Sequence, residues 1–161
     1  MIKFTNKITN KGYFFPEWES AIKFVLGQIN NYTFSNTQIR EDYEDLKFYF
    51  YNYYTLIANN KYFHNNILID DDFIKLENIS VTENVQRVFE YLYSIKESSK
   101  SDGWARIPSI KAALSIDSSN AVLGSLVGLI KTGAVVERQQ AMLDGTSVFR
   151  YYQYNKEGVY A

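Results

Sequence analysis

Leu129-Ile130-Lys131-Thr132-Gly133-Ala134-Val135-Val136-Glu137-Arg138 is the stretch on which the fold turns. An apolar-periodic segment ends at a glycine and passes at once into an apolar run with strand character. Glycine suits the left-handed residue that ends a helix, and Val135-Val136 favours extended backbone. Upstream, Asp117 or Ser118 can cap a helix carrying Val122, Leu123, Leu126, Leu129 and Ile130. Before it, Pro108 opens a short helix through Leu114. Before that, Ser80-Val81-Thr82-Glu83 has capping-box spacing and leads Val85, Val88, Phe89, Leu92 and Ile95 along one helical face, a helix that 98–103 ends. Downstream, Asp144-Gly145 predicts a two-residue hairpin turn, with 148–154 as the return strand. Val88, Leu92, Leu126 and Ile130 are the expected core.

Working towards the N-terminus, the pattern loosens. Phe15-Pro16-Glu17-Trp18-Glu19 reads as a helix start, with proline and acids in the first turn. Trp18, Ile22, Val25, Leu26 and Ile29 follow at helical spacing. Ser35 or Asn36 can cap a longer helix, whose stripe is Ile39, Tyr43, Leu46, Phe50, Tyr53 and Ile57. Phe73-Ile74-Lys75-Leu76, after three aspartates, fits a short helix or a strand equally. No Pro/Gly/Ser-rich linker separates the halves, so the join near 78–80 is tight and the halves can share a core.

Composition excludes several classes. The chain has 161 residues, 46% of them hydrophobic and 22% charged, which suits a globular protein of one or two small domains. No apolar run approaches the roughly 20 residues that span a bilayer, and the first residues lack the layout of a signal peptide. There is no cysteine, which removes disulfides and thiolate metal sites and is compatible with a cytoplasmic location. The net charge is −1: residues 1–79 carry 10 acidic and 8 basic side chains, and 80–161 carry 8 and 9. Nucleic-acid binders usually carry a positive excess. Tyrosine is abundant, at 14 residues. AT-rich codons favour Tyr, Phe, Asn, Lys and Ile, so genome composition and function both remain open as causes.

Catalytic and metal constellations are absent from the sequence. His64, the single histidine, has no nucleophile–base partner nearby and reads as structural. Asp70-Asp71-Asp72 lacks the spacing and turn glycine of a calcium loop and reads as a cap or a solvated turn. Glu17 and Glu19 are explained by first-turn capping, and no glycine-rich phosphate loop is present. The expectation is a soluble binding protein, not an enzyme, with no cofactor and no metal.

Residues 107–138 resemble the winged-helix superfamily, whose members bind DNA, RNA or protein. The resemblance implies a mainly α fold with a small β-hairpin. An N-terminal aromatic-rich helical region at 1–79 would precede a winged helix-turn-helix domain at 80–161. For DNA, the contacts would be Asn120 and Lys131 on the third helix and Arg138 and Arg150 on the hairpin. Against that, the helix presents Asn120, Gly124, Val127, Gly128 and Lys131 outward, with no arginine. Gly124 and Gly128 make a flat patch suited to a neighbouring backbone, inside the domain or on a partner.

Phe48-Tyr49-Phe50-Tyr51-Asn52-Tyr53-Tyr54 points aromatic groups in all directions on a helix. Tyr49, Tyr51, Tyr53 and Tyr54 are therefore protein-contact candidates, set against a helix simply sandwiched between layers. The opening Met1-Ile2-Lys3-Phe4-Thr5-Asn6-Lys7-Ile8-Thr9-Asn10, the chain size and the lack of cysteine and enzyme motifs are similar to small lytic-phage proteins. Among these the chain resembles the PinA family, the Lon protease inhibitors of T-even bacteriophages. That resemblance implies an inhibitor that binds the host's ATP-dependent Lon protease in the host cytoplasm and suppresses protein degradation. It assigns no contact residues. A homodimer would gain avidity on a ring of repeated sites. The alternative is a winged-helix DNA-binding transcription regulator.

Overall fold

The computed structural model describes residues 1–31, 67–70, 72 and 74–160. Among them are four helices and seven strands, the strands lying in two antiparallel sheets. The class is α/β, which corrects the expectation of a mainly α chain with one small hairpin. The error lies at the N-terminus. Residues 1–15, expected within a helical region, form a β-hairpin.

Strand β1 (Ile2–Asn6) pairs with β2 (Lys11–Phe15), Phe4 opposite Tyr13. Asn6 builds the turn. Its side-chain oxygen accepts from the amides of Ile8 (3.0 Å) and Thr9 (3.2 Å), and its carbonyl from the Asn10 amide (2.8 Å). Asn10 sits at φ 62°, a left-handed conformation that asparagine tolerates. On its other side β1 pairs with β4 (Ile74–Asn78), Phe4 opposite Leu76. Strands β3 (Ile67–Asp70) and β7 (Val159–Tyr160) complete the order β3-β4-β1-β2-β7. The ambiguity at Ile74-Lys75-Leu76 is resolved as strand: Ile74 and Leu76 are buried, while Lys75 and Glu77 pair on the opposite face at 3.8 Å.

Both faces of this sheet are used. Helix α1 (Trp18–Asn31) packs Ala21, Ile22 and Val25 against Ile2, Phe4, Tyr13, Phe15, Ile74 and Leu76. The Phe24 ring lies 4.6 Å from Tyr13 and 5.1 Å from Phe15. Phe14 points the other way and, with Met1, joins a second core. That core is formed by α2 (Glu83–Glu97), α3 (Ile107–Leu114), α4 (Ser119–Thr132), β5 (Val135–Ala141) and β6 (Val148–Tyr154). Val88, Leu92 and Leu126 are fully buried in it; Ile130 is half-buried at its edge.

The helix boundaries have local causes. Helix α2 is capped by Thr82, whose hydroxyl accepts from the Val85 amide at 3.4 Å, and not by Ser80 as its spacing with Glu83 suggests. The Ile79 amide donates to Met1 O at 2.8 Å. This keeps the chain extended past β4 and delays the helix by two residues. Pro108 sits in the first turn of α3, and Ser118 caps α4, accepting from the Ala121 amide at 3.2 Å. Gly133 closes α4 at φ 89°, and a Cβ there would run into the Val159 side chain, so both backbone and contact favour glycine. The hairpin register centres on Asp144-Gly145 as expected, but the loop is longer than two residues. The last ladder bond runs from the Met142 amide to Ser147 O (2.9 Å). The Asp144 carboxylate accepts from the Thr146 and Ser147 amides, both at 3.0 Å, and satisfies donors that a two-residue turn would pair across the strands.

Several contacts cross the division at 79/80. The Tyr154 hydroxyl donates to Phe14 O at 2.6 Å inside the protein. The Tyr93 ring touches Phe15 (6.4 Å) and Tyr154 (4.9 Å). The N-terminal ammonium donates to Gln86 Oε1 (3.0 Å), and Gln86 Nε2 donates to Pro16 O (2.8 Å). After the second hairpin the chain returns as β7 to pair with β2.

Leu126→Ala should destabilise by about 2–5 kcal/mol, the range for truncating a fully buried leucine; a loss under about half a kcal/mol in denaturant titration would show that the site collapses freely. Tyr154→Phe leaves the Phe14 carbonyl buried without its donor and should cost about 1–3 kcal/mol, with unchanged stability in the same titration as the contrary result.

Candidate functional site

The hairpin of β5 and β6 has an inner and an outer face. On the inner face, Val135, Tyr152 and Tyr154 are buried in the second core. Ala105 extends the sheet by bridging Tyr152, with hydrogen bonds of 2.9 and 2.8 Å between the two backbones. Alternation then places Arg138, Phe149 and Tyr151 outward, with Trp104 and Arg106 beside them. The contacts agree. The Arg106 guanidinium lies 3.7 Å from the Phe149 ring centroid, and that of Arg138 lies 4.5 Å from Trp104 and 5.0 Å from Tyr151.

The result is a ladder of two arginines and three aromatic rings across three adjacent backbone segments. Val136, Gln140 and Gln153 share this face, which has no carboxylate among its β5 and β6 side chains. Each stacked arginine–ring contact contributes about 0.5–1 kcal/mol at an exposed site. More usefully, the rings fix the guanidinium planes while leaving N–H donors at their edges. Rigid aromatics with oriented arginines are the side chains that dominate protein interfaces.

The residues named from sequence fall differently. Arg138 and Arg150 are both exposed, but on opposite faces of the hairpin: Arg138 pairs with Tyr151, and Arg150 with Gln139. Asn120 and Lys131 are exposed on α4. Gly124 and Gly128 face open space, since a Cβ at either meets nothing within 4 Å, and Val127 between them is 56% exposed. The small-residue patch is therefore not covered by any of the described residues. Tyr49, Tyr51, Tyr53, Tyr54 and His64 lie outside the described residues. Asp70 pairs with Lys7, which holds its carboxyl below the ordinary range. Glu17 accepts from Ser20 Oγ at 3.3 Å. Among the described residues no group of three or more His, Cys, Asp or Glu is placed to hold a metal ion. No single described helix is long and apolar enough to cross a membrane.

Trp104, Arg106, Phe149 and Tyr151 escaped the sequence reading. Phe149 and Tyr151 alternate with Arg150 and Tyr152, a period-two signal that identifies two faces but not which one is covered. Trp104 and Arg106 join only through the Ala105 bridge, a pairing 47 residues apart in sequence. No family model, no curated protein and no solved structure matches the chain.

At the hairpin tip, backbone amides of Ser147 and Thr146 hold the Asp144 carboxyl below its ordinary pKa. A lowered carboxylate pKa contributes ordering that is complete above the unfolded value and is lost as pH falls through the folded one. Thr146 and Ser147 amide shifts should therefore titrate with a midpoint below that of an aspartate in an unstructured peptide. A midpoint at or above the peptide value would show that the carboxylate is not the loop's acceptor.

Proposed function

We propose that the chain is a protein-binding module of the winged-helix type that acts as a host-directed inhibitor, with the ATP-dependent Lon protease as its partner. The arginine–aromatic face built by Trp104, Arg106, Arg138, Phe149 and Tyr151 is the observation that carries the binding part of this reading. The winged-helix reading is supported by the order α2, the Ala105 bridge, α3, α4 and the β5–β6 hairpin. The choice of Lon rests on the resemblance of sequence character and size to the phage Lon inhibitors.

The physical argument favours a protein over a duplex. A DNA-reading helix needs donors and acceptors that reach base edges and cations that reach phosphates. Helix α4 offers Asn120 and Lys131 around two glycines and a valine. The hairpin arginines diverge to opposite faces instead of converging on one backbone. The Arg138 and Arg106 planes are occupied on one side by aromatic rings, which suits a compact contact of anchored side chains more than a long electrostatic track.

The test is ATP-dependent degradation of a model substrate by Lon with increasing amounts of this protein. Inhibition should saturate near a fixed molar ratio. Replacing Trp104, Arg138 and Tyr151 together by alanine should weaken it at least about tenfold, the loss of one strong anchor's worth of binding, with a melting curve close to that of the parent. Full degradation at large molar excess, with no co-migration on a sizing column, would remove Lon as the partner. Nanomolar sequence-selective DNA binding at physiological salt would replace the whole reading with the regulator.

A further inference from the structure

Along the edge of β6 near the hairpin tip, a cleft of about 280 Å³ opens between β6 and the start of α3. Three features meet there. Tyr152 is fully buried, lines the cleft, and has a hydroxyl that makes no hydrogen bond of ordinary geometry among the described residues, with the Arg150 guanidinium beside it. A buried hydroxyl without a partner leaves its desolvation uncompensated, so its retention needs a reason. Arg106 and Arg150 also line the cleft and form no ion pair among the described residues. Helix α3 begins here, capped by Arg106 without a side-chain hydrogen bond, so helix geometry leaves the Ile107 and Ser109 amides without intrahelical acceptors. The remaining wall is apolar, from Ile107, Pro108, Leu123, Val148 and Phe149, whose ring stacks on Arg106.

We propose that this cleft receives an acidic side chain of the protein partner, its carboxylate held by Arg106, Arg150 and the Tyr152 hydroxyl, with an apolar neighbour against Leu123 and Pro108. This assignment rests on the protein-binding reading above. Guanidinium forks match a planar carboxylate, and an uncharged phenol supplies one more donor. Burial, and then Glu137 opposite on β5, raise the Tyr152 pKa and outweigh Arg150, which lowers it, so the phenol stays protonated. Glu137, opposite Tyr152 on β5, offsets part of the arginines' charge, so a single carboxylate leaves the neighbourhood neutral whereas a phosphate dianion leaves it one charge negative. The apolar wall gives a polynucleotide backbone nothing to contact.

The probe is the peptide acetyl-Leu-Glu-Leu-amide, titrated against the full chain while backbone amides are followed by NMR. Its Leu-Gln-Leu counterpart and inorganic phosphate serve as the other arms. The glutamate peptide should give saturating shifts at Ile107, Ser109 and 148–152, and the glutamine peptide should bind about tenfold more weakly, the scale of one charge-assisted contact. Tyr152→Phe should weaken the glutamate peptide several-fold while leaving the melting temperature equal or higher, because it removes an unsatisfied group. Arg150→Gln should weaken the peptide as well. A Tyr152→Phe protein that binds the peptide as the parent does would overturn the proposal, as would equal binding of the two peptides. Shifts with phosphate or duplex DNA but not with peptide would also overturn it. Peptide binding without Lon inhibition supports the cleft and defeats only the choice of Lon. Lon inhibition without peptide binding at the cleft defeats the cleft alone.

Discussion

Strand β2 is buried on both faces, and the rest of the architecture follows from that. Tyr13 and Phe15 face α1 while Phe14 faces the second core, so the strand contributes to both described cores. The hydrogen bond from Tyr154 to Phe14 O lies at the joint. Burial pushes the Tyr154 phenol far above its ordinary pKa, which favours the protonated form that donates this bond. Around it, Tyr93 contacts both cores, and the chain returns as β7 to the edge of β2.

That joint orients the hairpin. Tyr154 and Tyr152 anchor the inner face of β6 in the core, so pleating sends Tyr151 and Phe149 outward. Ala105, clamped to Tyr152 by two backbone bonds, brings Trp104 and Arg106 alongside. A recognition surface on a packed sheet loses little entropy on binding, because its side chains are already ordered by stacking. The hairpin tip is held differently, by the Asp144 carboxylate and its backbone donors, and carries the exposed Leu143. The platform is thus anchored in the core at one end and by a local turn at the other.

Charge distribution matters more here than net charge. A chain at −1 looks unsuited to an acidic ligand, yet two arginines, Arg106 and Arg150, stand together where the hairpin meets α3. Arg106 stands between the two candidate surfaces: it stacks on Phe149 outside and lines the cleft inside. Contacts on the two sides of the hairpin would therefore be coupled through one side chain, which allows a partner to engage both at once.

Local chemistry determined the second half of the chain. Pro108, Ser118, Gly133 and Asp144-Gly145 act over one to four residues, and helices, stop and hairpin stand where they direct. Even there, the cap moved from Ser80 to Thr82, because a bond from Ile79 to Met1 holds the preceding residues extended. The N-terminal sheet was decided by tertiary structure. Ile2-Lys3-Phe4-Thr5 does alternate, but over too few residues to outweigh helical signals, and β1 finds β4 some 70 residues downstream. The same distance effect hid the candidate site. Sequence places arginines and aromatics on β5 and β6, but only the pairing register separates Arg138 from Arg150, and only the Ala105 bridge brings in Trp104 and Arg106. Helix ends and turns are fixed by nearest neighbours, whereas sheet faces and surface clusters depend on which distant strands pair.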